Sequence, residues 1–290
     1  MKAFKYHAPK SVDHAIDLLK GADENTHVIA GGTDIIIQIN QKMIKPEMIV
    51  DLKQIDELKY IKEEDGLIKI GALTNFTAIE RSEIVRGKAK VLSNACGEVG
   101  SPQIRNLGTI GGNVVNASAA GDSITALMAL DASLVLRSSE GERVMKIQEF
   151  YEGEGNSQIR KDEILSEIFF VSPNDNTLTS FTKLGKRKAL AIVVLSSGIV
   201  LELEDDRKTC KDVRISLGAI SRYSMRARNA EEKLIGKELT EENIDSCVNE
   251  ISEMTYDSVY NSPFQDLASY KGTSIKGVVR KTFTDILERV

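Results

Sequence analysis

Tryptophan is absent from this 290-residue chain, and cysteine, histidine and proline are scarce, at three, three and five residues. Each shortage excludes something. Cys96, Cys210 and Cys247 stand far apart with no CxxC pairing. Neither a zinc site nor an iron–sulfur cluster can therefore be assembled from this chain's own thiolates. An odd set of separated thiols implies no disulfide framework. Together with MKAFKYHAPK, which lacks a charged-then-apolar leader, it points to a reducing cytoplasm. His7, His14 and His27 share no metal spacing such as HExxH. GxGxxG after a strand, GxxxxGKS/T and GxSxG are all missing, which disfavours a Rossmann site, a P-loop and nucleophilic hydrolysis. No apolar run is long enough for a bilayer, since the longest, Ala191 to Leu201, falls well short of about 20 residues. A formal net charge of -5 without a basic stripe speaks against nucleic acid. The short run KLGKRK at Lys183 to Lys188 reads, on charge alone, as a solvated turn.

What is present is 41% hydrophobic residues, enough for more than one buried core at this length. Ser11 to Lys20 reads as a helix, with Ser11 as N-cap, an apolar face of Val12, Ala15, Ile16 and Leu19, and a stop at Gly21. Val28 to Ala30 and Met48 to Asp51 read as strands. Beyond Tyr60, Leu67 to Ile70 is extended, Ile79 to Val99 is largely helical, and Ser123 to Leu130 is a short apolar helix with Asp122 at its N-cap. Strands are expected at Ser133 to Arg137 and Glu163 to Val171. The polar stretch Ser172 to Ser180 marks a boundary. Strands near Phe181, Ala191 to Leu203 and Val213 to Leu217 follow, then helices from Asn229, one capped by Thr240 and the last carrying Ile275, Val278, Val279, Phe283 and Ile286. The organisation expected is three units, 1–57, 58–175 and 176–290.

Two glycine-rich segments carry the candidate chemistry. Glycine lets a backbone approach a ligand closely, so that consecutive N–H groups can meet phosphate oxygens without a lysine. In AGGTD, Ala30 to Asp34, Thr33 adds a hydroxyl, and Asp34 can accept from a ribose hydroxyl or cap the IIIQI segment that follows. GTIGGN, Gly108 to Asn113, is followed by Asn116, Ser118 and Gly121 ahead of a helix start. That is a long run of small and polar residues that can form a concave anion site, or simply a loop before a capped helix.

In order and separation these segments resemble the FAD-binding medium subunits of molybdenum hydroxylases, the xanthine dehydrogenase family, and the nicotinate dehydrogenase branch in particular. The resemblance runs from FKYHAPKSVDHAIDLL through AGGTDIIIQI, IGALTNFTAIE and SPQIRNLGTIGGNVVNASAAGDS to DEILSEI, FTKLGKRKALAIVV and the closing helices, which is nearly the whole chain. It implies an α+β fold: a two-subdomain FAD-binding fold of the PCMH, vanillyl-alcohol-oxidase-like type, followed by a C-terminal antiparallel sheet and helix domain. Carried over by motif, Val28, Ile29, Ala30, Gly31, Gly32, Thr33, Asp34 and Ile35 would wrap the pyrophosphate from one side, and Thr109, Ile110, Gly111, Gly112 and Asn113 from the other. Gly100 would lie near the flavin ring, Asp122 on the adenosine side, Leu165 beside the cofactor, and Lys183 at the flavin's polar edge, which makes the basic run a site rather than a turn.

The resemblance further implies a division of labour. Substrate is oxidised at a molybdenum cofactor in a molybdopterin-binding large subunit, electrons pass through 2Fe–2S clusters of a small subunit, and FAD on this chain hands them to NAD(P) or another acceptor. The protein's share is binding, orientation and electrostatics. No general acid or base is identified. A cysteine-bearing insertion like that of the 4-hydroxybenzoyl-CoA reductase relatives is missing. Two other readings stay open: a stand-alone FAD oxidoreductase of the same fold, and a non-catalytic interaction subunit.

Overall fold

A computed structural model describes residues 3–152, 156–187 and 190–290, so the first two residues of the leader reading and Lys188 of the basic run lie outside the described residues. The chain opens with β1 (Lys5–His7), α1 (Val12–Leu19), β2 (Thr26–Ile29), α2 (Ile35–Asn40) and β3 (Met48–Asp51). The three strands pair in the order β1-β3-β2, both pairings parallel. The Ser11 hydroxyl accepts from the His14 amide and starts α1, whose buried face is Val12, Ala15, Ile16 and Leu19, as the periodicity requires.

Next come β4 (Ile61–Glu64), β5 (Leu67–Gly71), α3 (Phe76–Arg81), α4 (Glu83–Lys88), α5 (Lys90–Gly97), α6 (Pro102–Leu107), α7 (Ile110–Asn116), α8 (Asp122–Ala129), β6 (Ser133–Ser138), β7 (Gly141–Lys146), the small hairpin β8 (Tyr151–Glu152) and β9 (Asn156–Ser157), and β10 (Ile164–Val171). The sheet runs β4-β5-β10-β6-β7, antiparallel at every described pairing. The long helix expected over Ile79 to Val99 is broken into short helices, because Ser82 caps α4 with its own hydroxyl and Ala89 leaves helical geometry. The second glycine segment is no loop either. Thr109 is an N-cap whose hydroxyl accepts from the Gly112 amide, so GGN lies inside α7, and SPQIRN forms α6 with Ser101 as cap and Pro102 at its first turn.

The last part holds β11 (Thr177–Gly185), β12 (Val193–Leu203), β13 (Cys210–Gly218), β14 (Met225–Arg226), α9 (Arg228–Glu232), α10 (Glu241–Tyr260) and α11 (Ala268–Leu287). Its strands pair in that order, all antiparallel. The expected polar boundary is shorter than Ser172 to Ser180, because β11 already begins at Thr177, with Thr179 and Ser180 buried against neighbours. Among the described residues no helix is long and apolar enough to cross a membrane.

Helix α8 joins the parts. All eight of its residues are buried. Its Thr125 hydroxyl lies 2.8 Å from Ser224 Oγ and 3.3 Å from Ser196 Oγ, while Ser216 Oγ donates to the Thr125 carbonyl at 2.5 Å. This hydroxyl cluster leaves no space at Gly218, where a Cβ would overlap both Ser196 Oγ and Thr125 Oγ1. Gly218→Ala is expected to cost about 1–3 kcal/mol through overpacking. Urea unfolding of the full chain measures it, and an unchanged midpoint would remove this cluster from the account of how α8 is held.

Candidate functional site

The first glycine segment and α7 face each other across a groove of about 590 Å³, within the size range of ligand sites. Its edges come from β2 and α2 on one side, and from α6, α7, the residues just after β5 and the chain leading into β10 on the other. Val28, Ala30, Gly31, Gly32, Thr33, Asp34, Ile35, Thr109, Gly111, Gly112, Asn113 and Leu165 all line it. Ile29 does not, because side chains alternate along a strand and its own is buried with Ile39 and Ile49 on the opposite side. Ile110 likewise turns into the main core, on the face of α7 away from the groove. Gly100 is exposed and off the wall, although its neighbours Val99 and Ile104 form part of it.

The two segments touch through their backbones. A Cβ on Gly31 would overlap the Leu107 carbonyl, so this position admits only glycine at that separation. The amide accounting then separates them. In α7 the Ile110 and Gly111 amides donate to the Thr74 and Ala72 carbonyls at 3.0 and 2.9 Å, and the Gly112 and Asn113 amides to Thr109 Oγ1 and O at 3.1 and 3.0 Å. Those donors are used inside the protein. By contrast, the amides of Gly31, Gly32, Thr33, Asp34 and Ile35 find no acceptor among the described residues. These residues are half-buried, apart from exposed Asp34, and their unused donors are open to an acceptor in the groove. A row of such donors facing a groove fits a phosphate group. The site is therefore asymmetric: Gly31–Ile35 offers hydrogen bonds, whereas α7 supplies shape, with Gly112 on the wall, where a Cβ would stand 2.9 Å from Thr109 Oγ1 and 3.4 Å from Ala30 Cβ.

The structure brings Asp122 and Lys183 together. The resemblance sends one to the adenosine side and the other to the flavin's polar edge, yet Lys183 Nζ lies 2.6 Å from Asp122 Oδ2, with side chains 6% and 4% exposed. The two expected positions are thus one place in the structure. Neither lines the groove. Asp122 is also not the N-cap: Gly121 is, and the Asp122 carboxylate turns to Lys183 instead of the helix amides. Burial pushes the Asp122 carboxyl up to about 6, against the pull of the Lys183 ammonium. Lys183 also donates to the Glu98 carbonyl at 2.9 Å, and Asp122 Oδ1 has no partner. Asp34, offered as a cap, makes no side-chain cap bond.

The residue reading missed one wall. Thr26, His27 and Gln38 extend the groove beyond AGGTD, and Ile159, Arg160, Lys161 and Glu163 close it from the other side. The available signal was the basic pair immediately before DEIL. Glu163 holds this wall in place: Arg143 binds it through Nε at 2.6 Å and a terminal nitrogen at 2.9 Å, and the Arg160 amide donates to it at 2.8 Å. Burial raises the Glu163 carboxyl, but Arg143 and the Arg160 amide more than offset this and leave it below the usual glutamate range. Among the described residues no cluster of His, Cys, Asp and Glu could hold a metal ion.

Comparison with known proteins agrees in both parts of the chain. Residues 2–172 match the model described as the FAD binding domain in molybdopterin dehydrogenase, and residues 180–286 the CO dehydrogenase flavoprotein C-terminal domain. The chain is 40% identical over 294 aligned residues to the nicotinate dehydrogenase FAD-subunit of Eubacterium barkeri, covering 100% of this chain and 98% of that one. It is 31% identical to the xanthine dehydrogenase FAD-binding subunit of Escherichia coli O157:H7, covering 78% and 77%. Among solved structures, a chain of the carbon monoxide dehydrogenase of Hydrogenophaga pseudoflava superposes with a TM-score of 0.91 at 28% identity, covering 99% of this chain and 98% of that one.

Glu163→Gln is expected to destabilise the chain by about 1–2 kcal/mol at neutral pH, the cost of weakening charge-assisted hydrogen bonds to a buried carboxylate whose arginine partner is partly exposed. Because the folded carboxyl is held below its unfolded value of about 4.3, the stabilisation is present above that pH and is lost as pH falls through the lower folded value. Urea unfolding of wild type and variant should therefore differ near neutrality and converge on acidification. A difference independent of pH would show that the charge is not the cause.

Proposed function

The chain belongs to the family of FAD-binding domains in molybdopterin dehydrogenases, and from that membership we propose that it is the flavin subunit of a molybdenum-dependent dehydrogenase of N-heterocycles, of the nicotinate or xanthine type. The observation that carries the site assignment is the row of unpartnered amides at Gly31–Ile35 facing a groove shaped by α7. When bound, FAD supplies the redox chemistry, accepting electrons from 2Fe–2S clusters on a small subunit and releasing them to NAD(P) or another acceptor, with substrate oxidised on a molybdopterin-binding large subunit. The likeness to FAD subunits and medium chains, together with three separated and buried thiols on this chain, supports placing the metal centres on partners. The same unpaired thiols support a reducing cytoplasm as its compartment.

In this reading the chain's own residues bind and orient. The amides of Gly31–Ile35 and the Thr33 hydroxyl hold the diphosphate. Thr109, Gly111, Gly112 and Asn113 form the facing wall, and Leu165 packs on the cofactor. The Asp122–Lys183 pair belongs to the flavin end, supported by the Lys183 contact with Glu98, two residues before Gly100. The three larger of the four described sheets support division of the chain into units 1–57, 58–175 and 176–290, with the groove between the first two.

Full-length chain freed of flavin should bind FAD saturably, read by fluorescence quenching. Gly112→Val should weaken binding by about a hundredfold, because a branched side chain fills the wall where the cofactor lies. Retained affinity would remove α7 from the site. For the electron route, an N-heterocycle added anaerobically to the copurified complex should bleach the flavin absorbance, and should fail to do so without the small subunit. Bleaching without that subunit would overturn the relay.

A further inference from the structure

Among the described residues lining the groove, Arg160 and Lys161 are the only ones with a lysine or arginine side chain. Their backbone is fixed. The Arg160 amide and carbonyl are both engaged by Glu163, at 2.8 and 3.1 Å, and Arg143 locks Glu163 and also donates to the Gln158 carbonyl at 2.7 Å. Their charged heads are loosely held by comparison. Arg160 approaches Glu140 and Glu163 only to 3.9 Å, and Lys161 approaches Glu24 at 3.6 Å between side chains that are 58% and 89% exposed. These contacts are longer than hydrogen bonds. Exposed pairs of this kind contribute little and exchange easily.

The facing wall has the opposite character. Gly31–Ile35 offers amide dipoles without acceptors, but brings the Asp34 carboxylate and no cation. Amides satisfy the hydrogen bonds of a diphosphate, yet its two negative charges remain, in a chain of net charge -5. A rigid turn that carries two weakly engaged cations onto the groove supplies the missing charge.

We propose that Arg160 and Lys161 are cofactor-binding residues that neutralise the diphosphate of the bound dinucleotide, completing from the chain before β10 a site whose hydrogen bonds come from the segment after β2. This rests on the reading that the groove holds FAD. Lys161 would exchange its contact with Glu24, which lies just before β2, for the phosphate, so the ligand itself ties the two walls together.

Full-length chain freed of flavin is titrated with FAD, and with ADP as a probe carrying the diphosphate without the flavin, at salt from about 0.05 M to about 0.5 M, a range over which exposed charges become screened. Arg160→Gln/Lys161→Gln should raise the FAD dissociation constant about tenfold at low salt, weaken ADP displacement in parallel, and flatten the salt dependence. Lys208→Gln, an exposed cation off the groove, should leave all three unchanged. Wild-type affinity and salt slope in the double variant would overturn the proposal, and so would weaker FAD binding with ADP and salt slope unaffected, which would assign the turn to shape alone. Absence of FAD binding by the wild-type chain would instead overturn the reading of the groove itself.

Discussion

Gly31 lies against the carbonyl of Leu107 with no space for a side chain between them, and the groove owes its form to that backbone contact. It requires two anchors. On one side, β2 is held in a parallel sheet whose pairing ends at Ile29 opposite Asp51, delivering Gly31 at a strand end. On the other, the Gly111 amide is bonded to the Ala72 carbonyl and the Ile110 amide to the Thr74 carbonyl, which seats α7 on the end of β5. A Cβ on Gly111 would also strike Ala72, so this seating too depends on glycine. Two rigid elements brought together through backbone leave a narrow slot, and the amides that neither element uses face into it.

That economy of donors explains why the two glycine segments are chemically unlike despite similar composition. An amide inside the first turn of a helix can bond to a capping hydroxyl or a neighbouring carbonyl, and in α7 all the amides from Ile110 to Asn113 do so. The amides of Gly31–Ile35 precede or open α2, whose N-cap Asp34 makes no side-chain bond, and they are left for a ligand. Charge is arranged by the same separation of roles. The partly buried pair Arg143–Glu163 and the buried pair Lys183–Asp122 fix backbone around the groove, whereas Arg160 and Lys161 remain loosely engaged on it.

Much of this was legible in the residues. The amphipathic face of α1, the strand leading into AGGTD, the capped helix after Thr240 and the antiparallel strands beyond residue 180 follow from periodicity and cap chemistry, which act over a few neighbours. The α7 helix was not legible, because three glycines near its start mark a loop by propensity; the Thr109 cap and the carbonyls of Ala72 and Thr74, distant in sequence, override that. Motif membership does not say which face a side chain takes, and those of Ile29 and Ile110 turn into the cores. Asp122 and Lys183 stand 61 positions apart, so their pairing had no local signal.

The sequence by itself determined the class of fold, the family and the two segments that meet at the groove, since these rest on patterns of neighbouring residues. Only the tertiary structure decided which amides stay without acceptors, that Asp122 and Lys183 share one place, and that Arg160 and Lys161 form a wall of the groove. The reason is physical: a hydrogen-bond donor is free or occupied, and a charge paired or unpaired, according to what the rest of the chain brings within about 3 Å of it.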